Sequence, residues 1–420
     1  MSERVDVEQH RADVAELLAA LADRPAERVP LDQGVLGRVL ARDVTAPGPL
    51  PRFRNSQMDG FAVRAADVAA AGPGAPVTLP VAGDVAAAPG EPAPLAPGTA
   101  VRIMTGAPVP EGADAVVPVE DTDHVTFNGA AAALATTVVV ARGRAAGEFV
   151  REPGSDVAAD AVVLLAGTVL APHHVAAAAA CGVAHLALLA QVSVAVVSTG
   201  SELVGPGGEP GPGQIWDANG PALAAAVQAA GGRVGERLTL ADDPAAVRAG
   251  LERAAAGCDL VLTTGGVSQG AYEVVKDALP EVVFRSVAMQ PGGPQGFGRI
   301  GGTPVLTFPG NPVSAQVSFV VFLRDVLRRA AGLPPVERVP AVLDGAVRSP
   351  AGKRQLLRGR RVRPAADAAG AGVGAGERVA VVGGPGSHLV ASMAAADVLI
   401  DVPAAATTLE PGAEVAVWPL

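Results

Sequence analysis

The chain has 420 residues, 49% of them hydrophobic and only 3% aromatic. That length suffices for about three domains, and the apolar fraction excludes wholesale disorder. A formal net charge of −10 excludes a broad electrostatic footprint for nucleic acid, so an anionic ligand needs a local cation or backbone donors. Gly (51) and Pro (37) are abundant, which leaves Ala and Val to fill the interior and makes turns frequent. Nearly all positive charge is Arg, since Lys276 and Lys353 are the only lysines. Cys181 and Cys258 lie far apart without metal spacing, which fits small buried side chains in a reducing compartment.

The amino-terminal run MSERVDVEQHRADVAELL is charged from the start and has no apolar signal-peptide core, so a cytoplasmic location is expected. Val14, Leu17, Leu18 and Leu21 recur at helical spacing and predict an opening amphipathic helix within 6–22. A second short helix is expected around Leu36 to Leu40, ahead of Pro47, Pro49 and Pro51. From Arg52 to Val150, short Val-rich segments such as Ala115–Val119 and Thr137–Ala141 alternate with Gly and Pro clusters, the texture of a small β domain. Ala130–Ala133 reads as a turn or solvated loop. No Asp, Glu, Lys or Arg occurs from Ala161 to Ser201. Pro172, His173, His174, Gly182 and Gln191 interrupt that stretch and Ala dominates it, so it predicts a helix and then a buried strand, not a membrane span.

From Val192 the pattern becomes that of a parallel sheet with crossover helices. VSVAVVS (192–198) and DLVLTTGG (259–266) are apolar strands that run into glycines. DANGPALAAAVQAAG (217–231) is a helix with Asn219 as cap, and Asp242-Asp243-Pro244 opens another that runs to about Ala256. Ligands of such sheets bind beyond the carboxyl ends of the strands, where both Gly-bearing loops fall. After Pro334 short Val-rich segments return, with a Gly/Ala-rich loop at 365–376, and a terminal β domain is expected.

Several motifs carry possible chemistry. TTGGVSQGAYEVVKDAL (263–279) joins strand to helix through Gly265, Gly266 and Gly270, a loop whose backbone N–H groups can approach a phosphate or simply form a tight turn. Glu273 and Lys276, one helical turn apart, also fit a surface ion pair. In VVSTGSEL (196–203), Glu202 either faces a ligand or Mg²⁺ or is a first-turn helix carboxylate. One of Asp242 and Asp243 is a helix cap, and the other is free for a hard cation. Asp59-Gly60, inside PRFRNSQMDGFAVR (51–64), carries a strong hairpin-turn signal. VRIMTGAPVPEGADAVVPVE (101–120) is a Pro- and Gly-shaped loop, and PGNPVSA (309–315) a rigid turn before a helix.

In order, NSQMDGFAVR, RIMTGAPVPEGADAVV, STGSEL, TTGGVSQG, PGGPQGFG and PGNPVSA resemble the motifs of the molybdopterin molybdenumtransferase family. These are the molybdenum insertases of cofactor synthesis, and the family includes the insertase domain of gephyrin. The resemblance runs from about Val7 to Leu420. It implies an α/β plus β, multi-domain, elongated subunit in a homodimer. Residues 1–50 and 150–188 would form a discontinuous linker and dimerisation domain, and 51–149 an inserted β domain. Residues 189–333 would form a three-layer α/β/α pterin-binding domain, and 334–420 a C-terminal β barrel. The implied reaction takes adenylylated molybdopterin and molybdate to molybdenum cofactor and AMP, assisted by Mg²⁺. The implied protein partners are the molybdopterin adenylyltransferase and recipient molybdoenzymes.

The same resemblance places Asp59, Thr105, Glu202, Asp242 and Glu273 in catalysis and Glu202, Asp242, Asp243 and Glu273 at the metal. For the substrate it implies Ser198, Thr199, Gly200, Gly265, Gly266, Ser268, Lys276, Pro309, Gly310, Asn311, Ser314 and Ser387, the last beside His388 in PGSHL. Asp59 and Thr105 are expected to reach the cleft from the second subunit. Arg151 and Asp156 remain from a segment that reads RRRGED in the family and Arg151-Glu-Pro-Gly-Ser-Asp156 here. One departure stands out. The family's Pro-Gly-Lys-Pro, often with another Lys three residues earlier, is Gln290-Pro291-Gly292-Gly293-Pro294 in this chain. Losing such a cation costs about 1–3 kcal/mol of anion binding. Arg285, Arg299 or an Arg of the partner subunit are the candidate replacements. The alternative is a non-catalytic paralogue or scaffold that binds molybdopterin or finished cofactor. An adenylyl-transfer activity of the α/β domain is a third reading.

Overall fold

A computed structural model describes residues 4–124, 136–267, 274–362 and 377–420, apart from the Gln33 side chain. The chain divides into two compact units. One comprises Met1–Glu27, Gly37–Ala41 and Ala187–Leu420, the other Arg28–Leu36 and Arg42–Leu186.

The first unit begins with helix α1 (Val7–Leu17), capped by the Asp6 carboxylate on the Glu8 N–H at 2.8 Å. Then come β1 (Ser193–Thr199), α2 (Asn219–Ala229), β2 (Arg233–Leu240), α3 (Pro244–Gly257), β3 (Leu260–Thr264) and α4 (Val274–Ala278). The series closes with β4 (Val283–Ser286), β5 (Pro294–Ile300), β6 (Thr303–Phe308), α5 (Pro312–Ser318) and α6 (Arg324–Ala330), with a π-helical stretch at Phe319–Leu323. The sheet order is β2-β1-β3-β6-β5-β4. Its first four strands are parallel, and the β6-β5-β4 edge is antiparallel.

Every residue of β1 is buried, because helices cover both faces of the sheet. Val194 and Val196 pack with Leu223 and Val227 of α2, Val313 and Val317 of α5, and Val7 and Val14 of α1. Ala195 and Val197 point to the opposite layer, against Val247 and Leu251 of α3 and Val275 of α4. The result is a three-layer α/β/α sandwich.

Strands β7 (Val339–Leu343), β8 (Arg354–Arg361), β9 (Arg378–Val381), β10 (Val398–Val402) and β11 (Glu414–Pro419) pair in the ring β8-β9-β7-β11-β10 and back to β8, closing a five-stranded barrel. Period-two alternation sorts its side chains. Val398, Ile400 and Val402 fill the barrel, whereas Leu399, Leu356 and Trp418 join the core of the α/β sheet.

The second unit centres on a five-stranded sheet. Its order is Ala115–Pro118, Gly60–Val63, Ala100–Ile103, Val77–Val85, Thr137–Val140, over a core of Phe61, Val63, Leu79, Val117 and Val138. The uncharged stretch 161–201 holds the helix Pro172–Ala180 and the buried strand β1, and no helix among the described residues is long and apolar enough to cross a membrane.

Three local expectations are corrected. No helix forms at Leu36–Leu40. A single 3₁₀ turn spans Gln33–Val35, Gly37 adopts a φ of +73°, and Leu40 bridges to Leu188. Asp59-Gly60 is not a hairpin, because Asn55–Ser56 pairs with Val150–Arg151 while Gly60–Val63 pairs with two other strands. Gly60 answers to crowding, since a Cβ there would lie 2.1 Å from the Val117 carbonyl oxygen. Asn219 is the first residue of α2 and does not cap it. Asp217 does, its Oδ1 accepting from the N–H groups of Asn219 (3.0 Å) and Gly220 (2.9 Å). The loops at 130–133 and 365–376 lie outside the described residues.

Candidate active site

Parallel register makes four strands of the first unit end at one level. Ser198 is opposite Thr264, Thr264 opposite Phe308, and Thr199 opposite Leu240. The loops leaving these ends surround a cavity of about 1010 Å³, completed by Gln290, Pro291, Gly292 and Pro294 and by Pro385–His388 from the barrel. This is the carboxyl edge where an open α/β sheet presents ligand-binding loops.

Backbone crowding explains the glycines of the floor. Gly265 has a φ of +99°, and a Cβ on it would lie 2.5 Å from the Thr199 carbonyl oxygen. A Cβ on Gly310 would come within 3.3 Å of the Gly265 Cα. Asn219 ties the loops together, its Nδ2 donating to Thr264 Oγ1 (2.9 Å) and to the Gly310 carbonyl (2.6 Å). Thr264 Oγ1 in turn donates to the Pro309 carbonyl at 3.0 Å. Packed backbone thus replaces side chains on this surface, and a ligand can approach main-chain groups directly.

The wall is acidic. Glu202, Asp217 and Asp242 line it, and among the described residues no Lys or Arg does. Glu202 is exposed and sits in a turn, not at a helix start; its carboxylate lies 2.6 Å from where a Gly200 Cβ would be. Asp242 accepts from the Ser201 N–H, and Ser201 Oγ accepts from the Asp242 N–H, both at 2.9 Å. That pair fixes the β1 and β2 loops to each other and sets Asp242 close to the residue preceding Glu202. Asp243 is the cap of α3, accepting from the Ala246 N–H at 2.7 Å, and is not part of the wall.

Of the expected substrate residues, Thr199, Gly200, Gly265, Gly266, Pro309, Gly310, Asn311, Ser314 and Ser387 all line the cavity. Ser198 is buried in β1 behind it, its hydroxyl without a partner among the described residues. Lys276 stands over the Phe284 ring, 6.0 Å from its centroid, away from the wall. Ser268 and Glu273 lie outside the described residues. Asp59, Thr105, Arg151 and Asp156 belong to the second unit. There Asp59 Oδ1 accepts from both the N–H (2.7 Å) and the hydroxyl (2.9 Å) of Thr105, so the MDG and MTG motifs meet. Arg151 Nη1 donates to Asn55 Oδ1 at 3.4 Å, and the Asp156 N–H donates to the Leu50 carbonyl at 3.0 Å.

Neither arginine named as a replacement cation reaches the cavity. Arg285 is engaged by Asp13 and His10, and Arg299 by the carbonyls of Leu17 and Gly302. The sequence reading missed Arg358, which is 3% exposed. Its guanidinium donates to the carbonyls of Gly386 (2.9 Å), Gly384 and Val382, and burial lowers its pKa. It has no acidic partner among the described residues and holds the Pro385–His388 wall from behind. Asp217, Trp216 and Ile215 were missed as wall residues too. Asp217 was findable as an Asp just ahead of a helix, from where a carboxylate accepts from backbone N–H groups two and three residues on.

The comparisons with known proteins agree with this architecture. Three family models cover the chain: the MoeA N-terminal region (domain I and II) matches residues 5–182, a probable molybdopterin binding domain 195–329, and the MoeA C-terminal region (domain IV) 340–420. The fold and site therefore define a MoeA-type protein. The molybdopterin molybdenumtransferase 2 of Mycobacterium tuberculosis is 45% identical over 99% of both chains. Molybdopterin molybdenumtransferase 1 of the same organism is 34% identical over 97% of this chain and 96% of its own. A crystal structure of the molybdopterin biosynthesis MoeA protein from Pyrococcus horikoshii superimposes with a TM-score of 0.73 at 30% identity over 99% of both chains. The chain belongs to the molybdopterin molybdenumtransferase (MoeA) family, a family of transferases.

Proposed function

We propose that the chain acts in molybdenum cofactor biosynthesis, inserting molybdenum from molybdate into adenylylated molybdopterin with release of AMP. The observation that carries this reading is the cavity at the sheet's carboxyl edge, floored by side-chain-free backbone at Gly265 and Gly310 and walled by Glu202, Asp217 and Asp242. A pyrophosphate brought there meets main-chain groups and three carboxylates, and no Lys or Arg among the described wall residues. Such a site repels an anionic substrate unless a divalent cation accompanies it.

Magnesium fits the residues present. It is a hard ion that takes carboxylate oxygens, keeps several waters, and is commonly held by one or two carboxylates plus substrate phosphates. Glu202 and Asp242 supply two such carboxylates on interlocked loops, and no cluster of three His, Cys, Asp or Glu among the described residues suggests an all-protein cage. When bound, the ion supplies Lewis-acid stabilisation of the departing phosphate charge. The chain's own part is placement. Asp242 orders the Gly200–Glu202 turn, Asn219 holds the Thr264 and Gly310 loops in register, and Arg358 fixes the Pro385–His388 wall.

The proposed organisation follows the four divisions set out above, in a homodimer where the Asp59–Thr105 pair of one subunit serves the cavity of the other. The exposure of both residues and their mutual hydrogen bonds support that role. The adenylyltransferase and recipient molybdoenzymes are the protein partners of this reading.

A second reading, a paralogue that binds the pterin without turnover, is favoured by the uncharged Gln290 and Gly293. Gly293 has room for a side chain, since the nearest atom to a Cβ there is the Val287 carbonyl oxygen at an ordinary 3.4 Å. AMP release from adenylylated molybdopterin with Mg²⁺, with and without molybdate, separates the two readings in wild type and Gly293→Lys. Molybdate-dependent release by wild type is expected. Pterin binding without release, with turnover appearing only in Gly293→Lys, would establish the binding paralogue instead.

A further inference from the structure

The two tryptophans have opposite environments. Trp418 is 1% exposed in the core, whereas Trp216 is 58% exposed beside Ile215 at 56%. Leaving an indole in water forfeits a large hydrophobic gain, and a chain with only 3% aromatic residues has few to spare. The exposed pair lines the cavity, next in sequence to Asp217 and across a strand pairing from the turn that holds Glu202.

Trp216 is also held in place. Leu203–Val204 and Ile215–Trp216 form a short parallel pair, with the Ile215 N–H on the Glu202 carbonyl and the Asp217 N–H on the Val204 carbonyl, both at 2.8 Å. The indole Nε1–H donates to the Gly208 carbonyl at 2.9 Å. The polar edge of the ring is therefore satisfied within the protein while more than half of the residue remains open. A ring that is oriented yet uncovered is a surface prepared for another flat ring.

We propose that Trp216, with Ile215 beside it, is the platform on which a planar nitrogen heterocycle of the substrate stacks. This rests on the substrate class proposed above. Adenylylated molybdopterin carries two such heterocycles, a purine and a pterin. Stacking one of them on Trp216 anchors an end of the molecule at the cavity wall, and the carboxylates of Asp217 and Glu202 flank the same segment. Trp216 is a positioning residue in this account. Its loss raises KM and leaves kcat nearly unchanged, because the ring touches a part of the substrate that does not react.

The test uses the intact chain with AMP, ribose 5-phosphate and pterin-6-carboxylate as probes, all with Mg²⁺. Binding is read by calorimetry and by the fluorescence difference between wild type and Trp216→Phe, which isolates Trp216 from the buried Trp418. AMP or the pterin should quench Trp216 while ribose 5-phosphate, which has no base, does not; whichever quenches identifies the ring that stacks. Trp216→Ala should weaken binding of that probe by about tenfold or more, and Trp216→Phe, which keeps a ring but loses the bond to Gly208, by much less. Calorimetric binding of AMP or the pterin with no Trp216 quenching and no loss in Trp216→Ala would overturn the platform and leave the insertase reading standing. Failure of wild type to bind either heterocycle by calorimetry would overturn both.

Discussion

Two acidic groups in the first unit are treated in opposite ways. Asp401, 5% exposed on the barrel, receives Arg354 through Nε (2.7 Å) and Nη2, the Trp418 Nε1–H at 3.0 Å, and Arg338 at 3.9 Å. Hydrogen bonding to Asp401 raises the Arg354 pKa, so that guanidinium stays charged. Glu202 and Asp242, at the cavity, have no Arg or Lys partner among the described residues, although the chain carries 32 basic side chains. A carboxylate buried with its cations is a fixed part of the scaffold, and removing one partner strands the other. Carboxylates gathered without cations repel one another and wait for a positive charge from outside. The comparison separates acids that hold the fold from the acids proposed to serve a ligand.

Asp401→Asn should produce the largest effect, about 2–3 kcal/mol of lost stability, because the half-buried Arg354 keeps only the exposed Glu8 carboxylate, 2.6 Å from its Nη1, as a counter-charge. Equilibrium denaturation checks it, and a loss below about 1 kcal/mol would erase the contrast between the two groups.

Acid should act next on the scaffold. Burial, and then the neighbouring Arg285, lower the His10 pKa to about 3. The unfolded chain takes up this proton below a pH of about 6.5, while the folded chain refuses it until about 3. Stability is therefore lost as the pH falls through that window, by about 2 kcal/mol at pH 5 from this group. The pH 7 to pH 5 loss, measured by urea unfolding, should shrink by that amount in His10→Gln. An unchanged slope would show that His10 is not held neutral.

Asp217 belongs to both categories, as cap of α2 and as cavity wall. Asp217→Ala should cost about 1–2 kcal/mol through the two N–H groups it leaves unpaired, and Asp217→Asn, which keeps a capping oxygen, should restore most of that. Equal destabilisation in both variants would mean that the charge, not the cap, is what counts.

Much of the core could be read from sequence, for a physical reason. Strands covered on both faces must be apolar throughout, so 192–198 and 259–266 announced themselves, and the glycines after them marked the ligand edge. That one of Asp242 and Asp243 caps α3 was legible because capping is decided within three residues; that it is Asp243, expected at the metal, shows only in its bond to the Ala246 N–H. What escaped reading depended on partners distant in sequence. Gly60 sits in a sequence that locally spells a hairpin, yet its requirement comes from the Val117 carbonyl, more than fifty residues away. Trp216 lies in a Gly- and Pro-rich stretch that reads as loop, and only its pairing with Leu203–Val204 brings it to the cavity. Arg358 resembles any other strand arginine until the barrel closes and turns it toward the carbonyls at 382–386.

The most direct test of the distinction is Mg²⁺ binding by isothermal titration calorimetry, in the presence of AMP, for wild type, Glu202→Gln and Asp242→Asn, with each protein's unfolding free energy measured alongside. The account predicts that Glu202→Gln, whose side chain is exposed, folds within about 0.5 kcal/mol of wild type. It also predicts that both variants lose about tenfold or more in apparent Mg²⁺ affinity, each having given up one of the two carboxylates offered to the ion. Unchanged Mg²⁺ affinity in both variants would contradict it, and the cavity acids would then need another explanation.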